Sequence, residues 1–433
     1  MKVLLFGCGF QGKELYQYID HSNTTVLAFL DNRLHGSSFD GVEIVHPKML
    51  SNYKYDKIII TPECESLSAE IEQQLYDYGV SEEKFISLRD TGKHKDYVHL
   101  MRDGIEYRRG CGSLGELIVF SASHITPCCV SAYGKRIEYE DKILTVSIVR
   151  RCIQEFRSWV SKTIELLCTD KPTDCDGCTL LKWGYYPKNP EIKRIVVGGG
   201  FVDTVCNCRC IYCHQTRERS LKTPQTLTGY DIYRIGFDEF GDSIKSVVLA
   251  DGEITALPHC DKLLELVIEN GWSAYIVTNA IIYNEKLARI LNRPNSALNV
   301  SIDAGTAETY RKIKGLDAFS EVLSNLERYA KVAPIELKYI LLPGINDAFE
   351  DVNGFISIAK GLNVCKVILS HDSLNMAKAQ DSNATHISIT EPQYAMYCYF
   401  AARCKEEGLP VFYAYDYFLK DDCTRMDIIC APQ

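Results

Sequence analysis

The sequence predicts an α/β protein, in which a long array of βα units follows a smaller α/β unit. Three observations carry this. From Lys193 onward, short apolar runs alternate six times with amphipathic stretches, which implies a parallel sheet covered by helices. At the start, the apolar run Lys2-Val3-Leu4-Leu5-Phe6 leads directly into Gly7-Cys8-Gly9-Phe10-Gln11-Gly12. Between the two lies a stretch with little apolar period and many cysteines. The 433 residues suffice for two or three domains, which we place at 1–90, 91–190 and 191–415, with a tail at 416–433.

Residues 1–90 read as strand, glycine loop, helix and strand in register. The second strand, Thr25-Val26-Leu27-Ala28-Phe29-Leu30, ends in Asp31, 19 residues after Gly12. In a dinucleotide fingerprint that is where a ribose-binding carboxylate belongs, while Gly7, Gly9 and Gly12 let the backbone approach a pyrophosphate. The unit is about half a full doubly wound domain. With its Asp31-Asn32 and Phe39-Asp40-Gly41-Val42 turns it resembles the small Rossmann-like domains of sugar-nucleotide acetyltransferases and some sugar C-methyltransferases. That resemblance implies either a site for NAD(P) or a nucleotide-sugar, or a scaffold without a ligand.

Residues 91–190 begin with a linker-like run, Thr91-Gly92-Lys93-His94-Lys95-Asp96, and contain a helix expected over 146–167. Around it stand Cys111, Cys128, Cys129, Cys168 and the pair Cys175-x2-Cys178. The pair has chelating spacing, and Cys111 with Cys128 or Cys129 completes a four-thiolate set, with Cys168 as the substitute. A second [4Fe–4S] cluster, a zinc knuckle and buried thiols are the three readings.

From Lys193 on, strands are expected at 194–197, 246–249, 273–277, 298–302, 336–341 and 366–369. Helices are expected between them at 229–240, 261–269, 285–291, 319–330 and 349–360, with another at 392–407. An extra strand is expected from Val411.

Just after the first of these strands comes Cys206-Asn207-Cys208-Arg209-Cys210-Ile211-Tyr212-Cys213. The spacing Cys206-x3-Cys210-x2-Cys213 offers three thiolates to three irons of a [4Fe–4S] cluster and leaves one iron open. A zinc site with Cys208 as fourth ligand is the competing reading. The spacing, with an aromatic residue before the last cysteine, resembles the radical S-adenosylmethionine (radical SAM) superfamily. That resemblance implies a partial (βα)6 TIM-like radical SAM barrel, a [4Fe–4S] cluster and S-adenosylmethionine as cofactors, and an electron donor such as flavodoxin or ferredoxin. In the superfamily, reductive cleavage of the sulfonium gives a 5′-deoxyadenosyl radical that takes hydrogen from a substrate.

The residues following each strand extend the resemblance. Ala250-Asp251-Gly252-Glu253 is similar to the superfamily's Gly-Gly-Glu element, with Asp251 in place of the first glycine. It implies that Gly252 and Glu253 meet the cofactor's amino end, alongside Tyr212. Thr278-Asn279-Ala280 and Ser301-Ile302-Asp303 resemble the later elements, which implies cofactor contacts at Asn279, Ser301 and Asp303. Lys338 and Pro343-Gly344-Ile345-Asn346-Asp347 are similar to the superfamily's later strands. Taken singly, Asp303 has a dull reading as a helix cap and Glu253 as a surface acid.

Composition bounds the rest. Apolar residues at 46% and charged residues at 24% are those of an ordinary soluble globular protein. No run approaches a membrane-spanning length, and the start lacks the pattern of a secretory signal. A formal charge of −9 argues against nucleic acid as partner. Nineteen cysteines without an export signal fit metal ligation in a cytoplasmic protein better than disulfides. The expected substrate is a sugar or nucleotide-linked small molecule, with a peptide second. The rival classes are an NAD(P)-dependent oxidoreductase working through residues 1–90 and a non-catalytic zinc or cluster scaffold.

Overall fold

The computed structural model of the chain describes residues 1–62, 65–87, 98–128, 135–139, 143–178, 181–198, 201, 205–213, 226–250, 252–371 and 389–413. It divides into two compact units, 1–114 with 160–190 and 115–159 with 191–433. Of the stretch 91–190, residues 91–114 and 160–190 belong to the first unit and 115–159 to the second.

The first unit is built on β1 (Lys2–Phe6), β2 (Thr25–Leu30), β3 (Ser37–Phe39), β4 (Val42–Val45), β5 (Lys57–Ile60) and β6 (Phe85–Ser87), in the order β3-β4-β2-β1-β5-β6. β1 runs parallel to both β2 and β5. Its Val3 to Phe6 are almost wholly buried because side chains on both faces enter a core, Val3 and Leu5 on one, Leu4 and Phe6 on the other. A separate antiparallel pair joins β7 (Ile105–Gly110) to β11 (Lys182–Pro187), with Gly110 opposite Lys182.

The second unit carries a ten-stranded sheet. It consists of β8 (Leu117–Phe120), β9 (His124–Thr126), β10 (Ile137–Glu138), β12 (Arg194–Val197), β13 (Ser246–Leu249), β14 (Ser273–Thr278), β15 (Ala297–Ser301), β16 (Ile335–Ile340), β17 (Lys366–Ser370) and β18 (Val411–Tyr413). The order is β10-β9-β8-β12-β13-β14-β15-β16-β17-β18, parallel from β8 through β18. The six expected strands are β12 to β17. β8, which extends the parallel array before β12, was not foreseen; it pairs with a strand far away in sequence, beyond β9, β10, helix Val146–Cys168 and β11.

The two faces of this sheet differ. One is apolar and covered by helices: Ile195, Val247, Ala274, Leu298, Leu337 and Val367 are all fully buried. Helix Gly229–Phe240 approaches so closely that a Cβ on Gly236 would sit 2.6 Å from Ile195 Cδ1. Residues of the opposite parity include a polar group on the middle strands. Tyr275 Oη donates to Glu336 Oε2 at 2.7 Å, Asn299 Nδ2 donates to Tyr275 Oη at 2.8 Å, and Lys366 pairs with Glu336 at 2.7 Å. Ser301 and Lys338, paired in register, lie one step further along this polar face. Among the described residues no helix is long and apolar enough to cross a membrane.

Candidate metal centre

The loop 205–213 leaves the C-terminal side of β12, the end of a parallel sheet where ligands gather. It has no regular structure of its own and is held by the ends of neighbouring strands. Glu253 N–H donates to the Val205 carbonyl at 2.8 Å. Asn279 Nδ2 donates to Asn207 Oδ1 at 2.6 Å and to Cys208 Sγ at 3.3 Å, and lies 3.9 Å from Cys206 Sγ. Arg209 and Ile211 N–H groups donate to the Lys314 and Ile313 carbonyls at 2.9 and 3.0 Å. These are carbonyls of the last turn of helix Ala307–Lys314, which would otherwise lack partners. The helix ends at Gly315, φ +74°, and a Cβ there would approach Arg209 at 3.2 Å. A glycine suits both the left-handed turn and the close approach.

Beneath the loop lies a buried triad that the sequence did not disclose. Lys314 Nζ donates to Asp303 Oδ2 at 2.5 Å and to Tyr212 Oη at 2.8 Å, and Tyr212 Oη donates to Asp303 Oδ2 at 2.5 Å. Asp303 is fully buried; its Oδ1 accepts from Ile340 N–H at 2.9 Å, and its carbonyl accepts from the buried Asn346 side chain at 2.8 Å. Asp303 holds φ +54°, a strained backbone state for a non-glycine residue, kept by these surroundings. Burial works against the Lys314 charge, but the Asp303 carboxylate, helped by Cys210, raises its pKa. Lys314 in turn favours a thiolate at Cys210. A hydrogen bond from Cys208 and, against burial, the Lys314 charge bring the Cys210 thiol down to about 7.

Cys208, the residue that breaks the x3-x2 pattern, is buried. Its N–H donates to Cys206 Sγ at 3.4 Å, and thiol hydrogen bonds to Cys206 and Cys210, with burial, raise its pKa strongly. As placed, no three His, Cys, Asp or Glu side chains among the described residues converge on a common metal position, and Cys206, Cys210 and Cys213 are no exception. The donor set itself fits a cluster: three thiols at x3-x2 spacing, one of them with a lowered pKa, on a loop pinned along its length.

Glu253 is almost wholly buried. Its Oε1 accepts from Thr255 N–H and Oγ1 and from Thr278 Oγ1, and its Oε2 accepts from Asn279 N–H at 2.7 Å. The carboxylate therefore joins the ends of β13 and β14, and through Asn279 it holds the cysteine loop. Gly252 stands at φ +60°; Asp251 lies outside the described residues.

The first unit places the other expected residues. Gly7 has φ +107°, and a Cβ on Gly12 would stand 2.0 Å from the Gly7 carbonyl oxygen, so both glycines are required by the packing of helix on strand. Around Gly9 there is open space. Asp31 does not face a vacant loop: its Oδ2 accepts from Cys8 N–H at 2.9 Å, and its Oδ1 accepts from Arg33 and Leu34 N–H groups. Cys111, Cys168, Cys175 and Cys178 belong to the first unit and Cys128 to the second; Cys129 lies outside the described residues.

The structure thus sets a three-cysteine loop, pinned along its length, at the C-terminal strand ends of a parallel α/β sheet. Comparison with known proteins gives this arrangement a name: residues 202–356 match the Radical SAM superfamily and form a domain of that kind, whose enzymes use a [4Fe–4S] cluster and S-adenosylmethionine. Residues 1–86 match a family described as C2185-like, N-terminal. A probable GTP 3′,8-cyclase from Pyrococcus abyssi is 27% identical over 143 residues, 33% of this chain and 46% of that protein. One from Saccharolobus islandicus is 25% identical over 166 residues, 38% of this chain and 53% of that protein. The chain thus spans about half the length of these relatives. Among solved structures, Streptococcus suis SuiB overlaps 61% of this chain and 54% of its own at 14% identity, with a TM-score of 0.40.

Proposed function

We propose that the protein reductively cleaves S-adenosylmethionine at a [4Fe–4S] cluster held by Cys206, Cys210 and Cys213, and abstracts hydrogen from a sugar or nucleotide-linked small molecule. A peptide is the second candidate substrate. We read the second unit as a partial (βα)6 barrel and the first as Rossmann-like. The observation that carries the proposal is the pinning of loop 205–213 by Glu253, Asn279, Lys314 and Asp303, each from a different strand end or its helix. When bound, the cluster supplies the electron that breaks the sulfonium bond. The chain's own residues position and shield that chemistry.

In this reading Glu253 meets the cofactor's amino group through Oε2, which among the described residues accepts the Asn279 N–H alone and retains a lone pair. Gly252 and Tyr212 contribute backbone contacts. Asn279 and Ser301 present polar groups beside the loop. Asp303, fully buried, acts through Tyr212 and Lys314. Flavodoxin or ferredoxin supplies the electron.

Lys338 supports an anionic, nucleotide-linked substrate. It stands on the polar face beside Ser301, where burial lowers its pKa while Asp303 opposes this, and it makes no hydrogen bond or ion pair among the described residues. A phosphate or carboxylate would complete it. The matched relatives are named for a reaction of GTP, itself a nucleotide. The test is anaerobic turnover with S-adenosylmethionine and dithionite, reading 5′-deoxyadenosine across a panel of nucleotide-sugars. Stimulation by one of them, lost in Lys338→Met while basal cleavage persists, supports the reading. A panel without effect, alongside stimulation by a peptide, favours the second candidate.

A further inference from the structure

The turn that follows β14 holds a backbone state it would not choose alone. Ala280 has φ +57° and is fully buried. A Cβ disfavours this left-handed region, so the surroundings impose it. The residue before it, Asn279, is engaged on every side. Its N–H donates to Glu253 Oε2 at 2.7 Å, and its Oδ1 accepts from Ile281 N–H at 3.1 Å. Its Nδ2 reaches Asn207 and Cys208 of the cysteine loop. A change of φ at Ala280 moves Ile281 relative to Asn279 and breaks the bond that fixes the Asn279 side chain. The aim of Asn279 at the loop therefore depends on the strained residue after it.

The restraint on that residue comes from a different helix. Helix Phe319–Ala330 buries Val322, Leu326 and Tyr329 along one face. Asn325 shares that face by position, one turn after Val322 and one turn before Tyr329, where helical spacing calls for an apolar side chain. Asparagine is also a poor helix former in a helix interior, because its side chain competes for backbone partners. Here its Nδ2 donates to the carbonyls of Ala280 at 3.0 Å and Ile281 at 2.9 Å. One amide group thus supplies both hydrogens to two neighbouring acceptors. A turn further along, the fully buried Tyr329 hydroxyl accepts from Asn284 N–H at 2.9 Å. Asn284 in turn caps helix Glu285–Leu291 through the Lys286 and Leu287 N–H groups. A single helix face holds both ends of the segment 280–284.

We propose that Asn325 is a positioning residue: its amide clamps Ala280 and Ile281 so that Asn279 stays directed at the cysteine loop and at Glu253. The clamp compensates for a residue other than glycine at a left-handed position. An apolar side chain of similar size would suit the helix face better but would leave both carbonyls without this donor. The clamp is a property of the fold; its use in holding S-adenosylmethionine rests on the function proposed above.

The test is native-state hydrogen exchange of the full chain without cofactor, read on peptides covering 278–284 and 205–213, with helix Phe349–Gly361 as control. Wild type, Asn325→Ala, Ala280→Gly and the double variant are compared. Asn325→Ala should speed exchange about tenfold in both loop peptides and leave the control unchanged. Ala280→Gly removes the strain that the clamp holds, so adding Asn325→Ala to it should speed exchange by no more than about threefold. This rescue separates positioning from plain packing, because a packing defect in helix Phe319–Ala330 is indifferent to the side chain at position 280. In the reconstituted protein, affinity for S-adenosylmethionine should fall about tenfold in Asn325→Ala and recover in the double variant. If Asn325→Ala alone does not fold, a folded double variant supports the clamp and an unfolded one overturns it. Exchange that quickens in 278–284 but not in 205–213 overturns the proposal, as does an equal effect with and without Ala280→Gly. A wild type that does not bind S-adenosylmethionine counts against the proposed function alone, and exchange still decides the clamp.

Discussion

The Lys314 ammonium and the Asp303 carboxylate meet at 2.5 Å with side chains 2% and 0% exposed, directly beneath the cysteine loop. Such a pair adds little by existing, because desolvation offsets attraction, but removing one partner leaves an uncompensated buried charge. Lys314→Met or Asp303→Asn should therefore cost about 3–5 kcal/mol of stability, read by denaturant unfolding. The double variant Lys314→Met/Asp303→Leu should cost clearly less than the two singles added together; strict additivity would contradict the coupling.

The same pair sets a pH dependence. Lys314 has a folded pKa raised above its ordinary value, chiefly by Asp303 working against burial. A raised lysine contributes stability that is fully present below the unfolded value, about 10.4, and is lost as pH climbs through the folded value. The stability difference between wild type and Lys314→Met should be flat from neutral pH to about 10 and shrink above it. A difference that shrinks on acidification instead would show that another group is responsible.

Glu253 joins two strand ends and has one lone pair left for a ligand. Glu253→Gln places an amide where Asn279 N–H needs an acceptor, and it removes the charge that, as proposed, would meet the cofactor's ammonium. Affinity for S-adenosylmethionine should fall by about 1.5–3 kcal/mol, roughly ten- to a hundred-fold. Equilibrium binding to the reconstituted protein checks this, and unchanged affinity would refute the role.

Gly12 and Gly9 should separate packing from ligand binding in the first unit. A Cβ at Gly12 meets the Gly7 carbonyl at 2.0 Å, whereas Gly9 faces open space. Gly12→Ala should destabilise by about 1–3 kcal/mol, while Gly9→Ala should not. If NAD(P) or a nucleotide-sugar sits over this loop, Gly9→Ala weakens its binding in calorimetry without lowering the melting temperature. Silence of the wild type across those ligands would leave the unit a scaffold, a role consistent with Asp31 being spent on Cys8, Arg33 and Leu34.

The core strands were legible because parallel strands buried on one or both faces read as short apolar runs, as in Ile195 to Val197 or Lys57 to Ile60. Residues at the strand ends were legible by position. What they touch was not. Lys314 closes a run of basic residues at a helix end, which by itself reads as complement to the helix dipole. Only the left-handed turn at Gly315 and the packing of Arg209 on it place that ammonium under the loop. Asn346 sat in what reads as an ordinary turn, yet its buried amide fixes the carbonyls of Asp303 and Ile340. The cysteines of 91–190 stood out in the sequence, but which of them share a unit depended on the tertiary fold: Cys111, Cys175 and Cys178 fall in the unit of the β7–β11 pair and Cys128 in the other.

Single serine variants decide which thiols of loop 205–213 would hold the proposed cluster. Each is reconstituted anaerobically and assayed for the iron that loop binds and for dithionite-dependent 5′-deoxyadenosine. Cys206→Ser, Cys210→Ser and Cys213→Ser should each abolish cofactor cleavage and lose that iron. Cys208→Ser, whose thiol is buried against Asn279, should keep both. Loss in Cys208→Ser equal to that in Cys210→Ser would contradict the three-cysteine assignment.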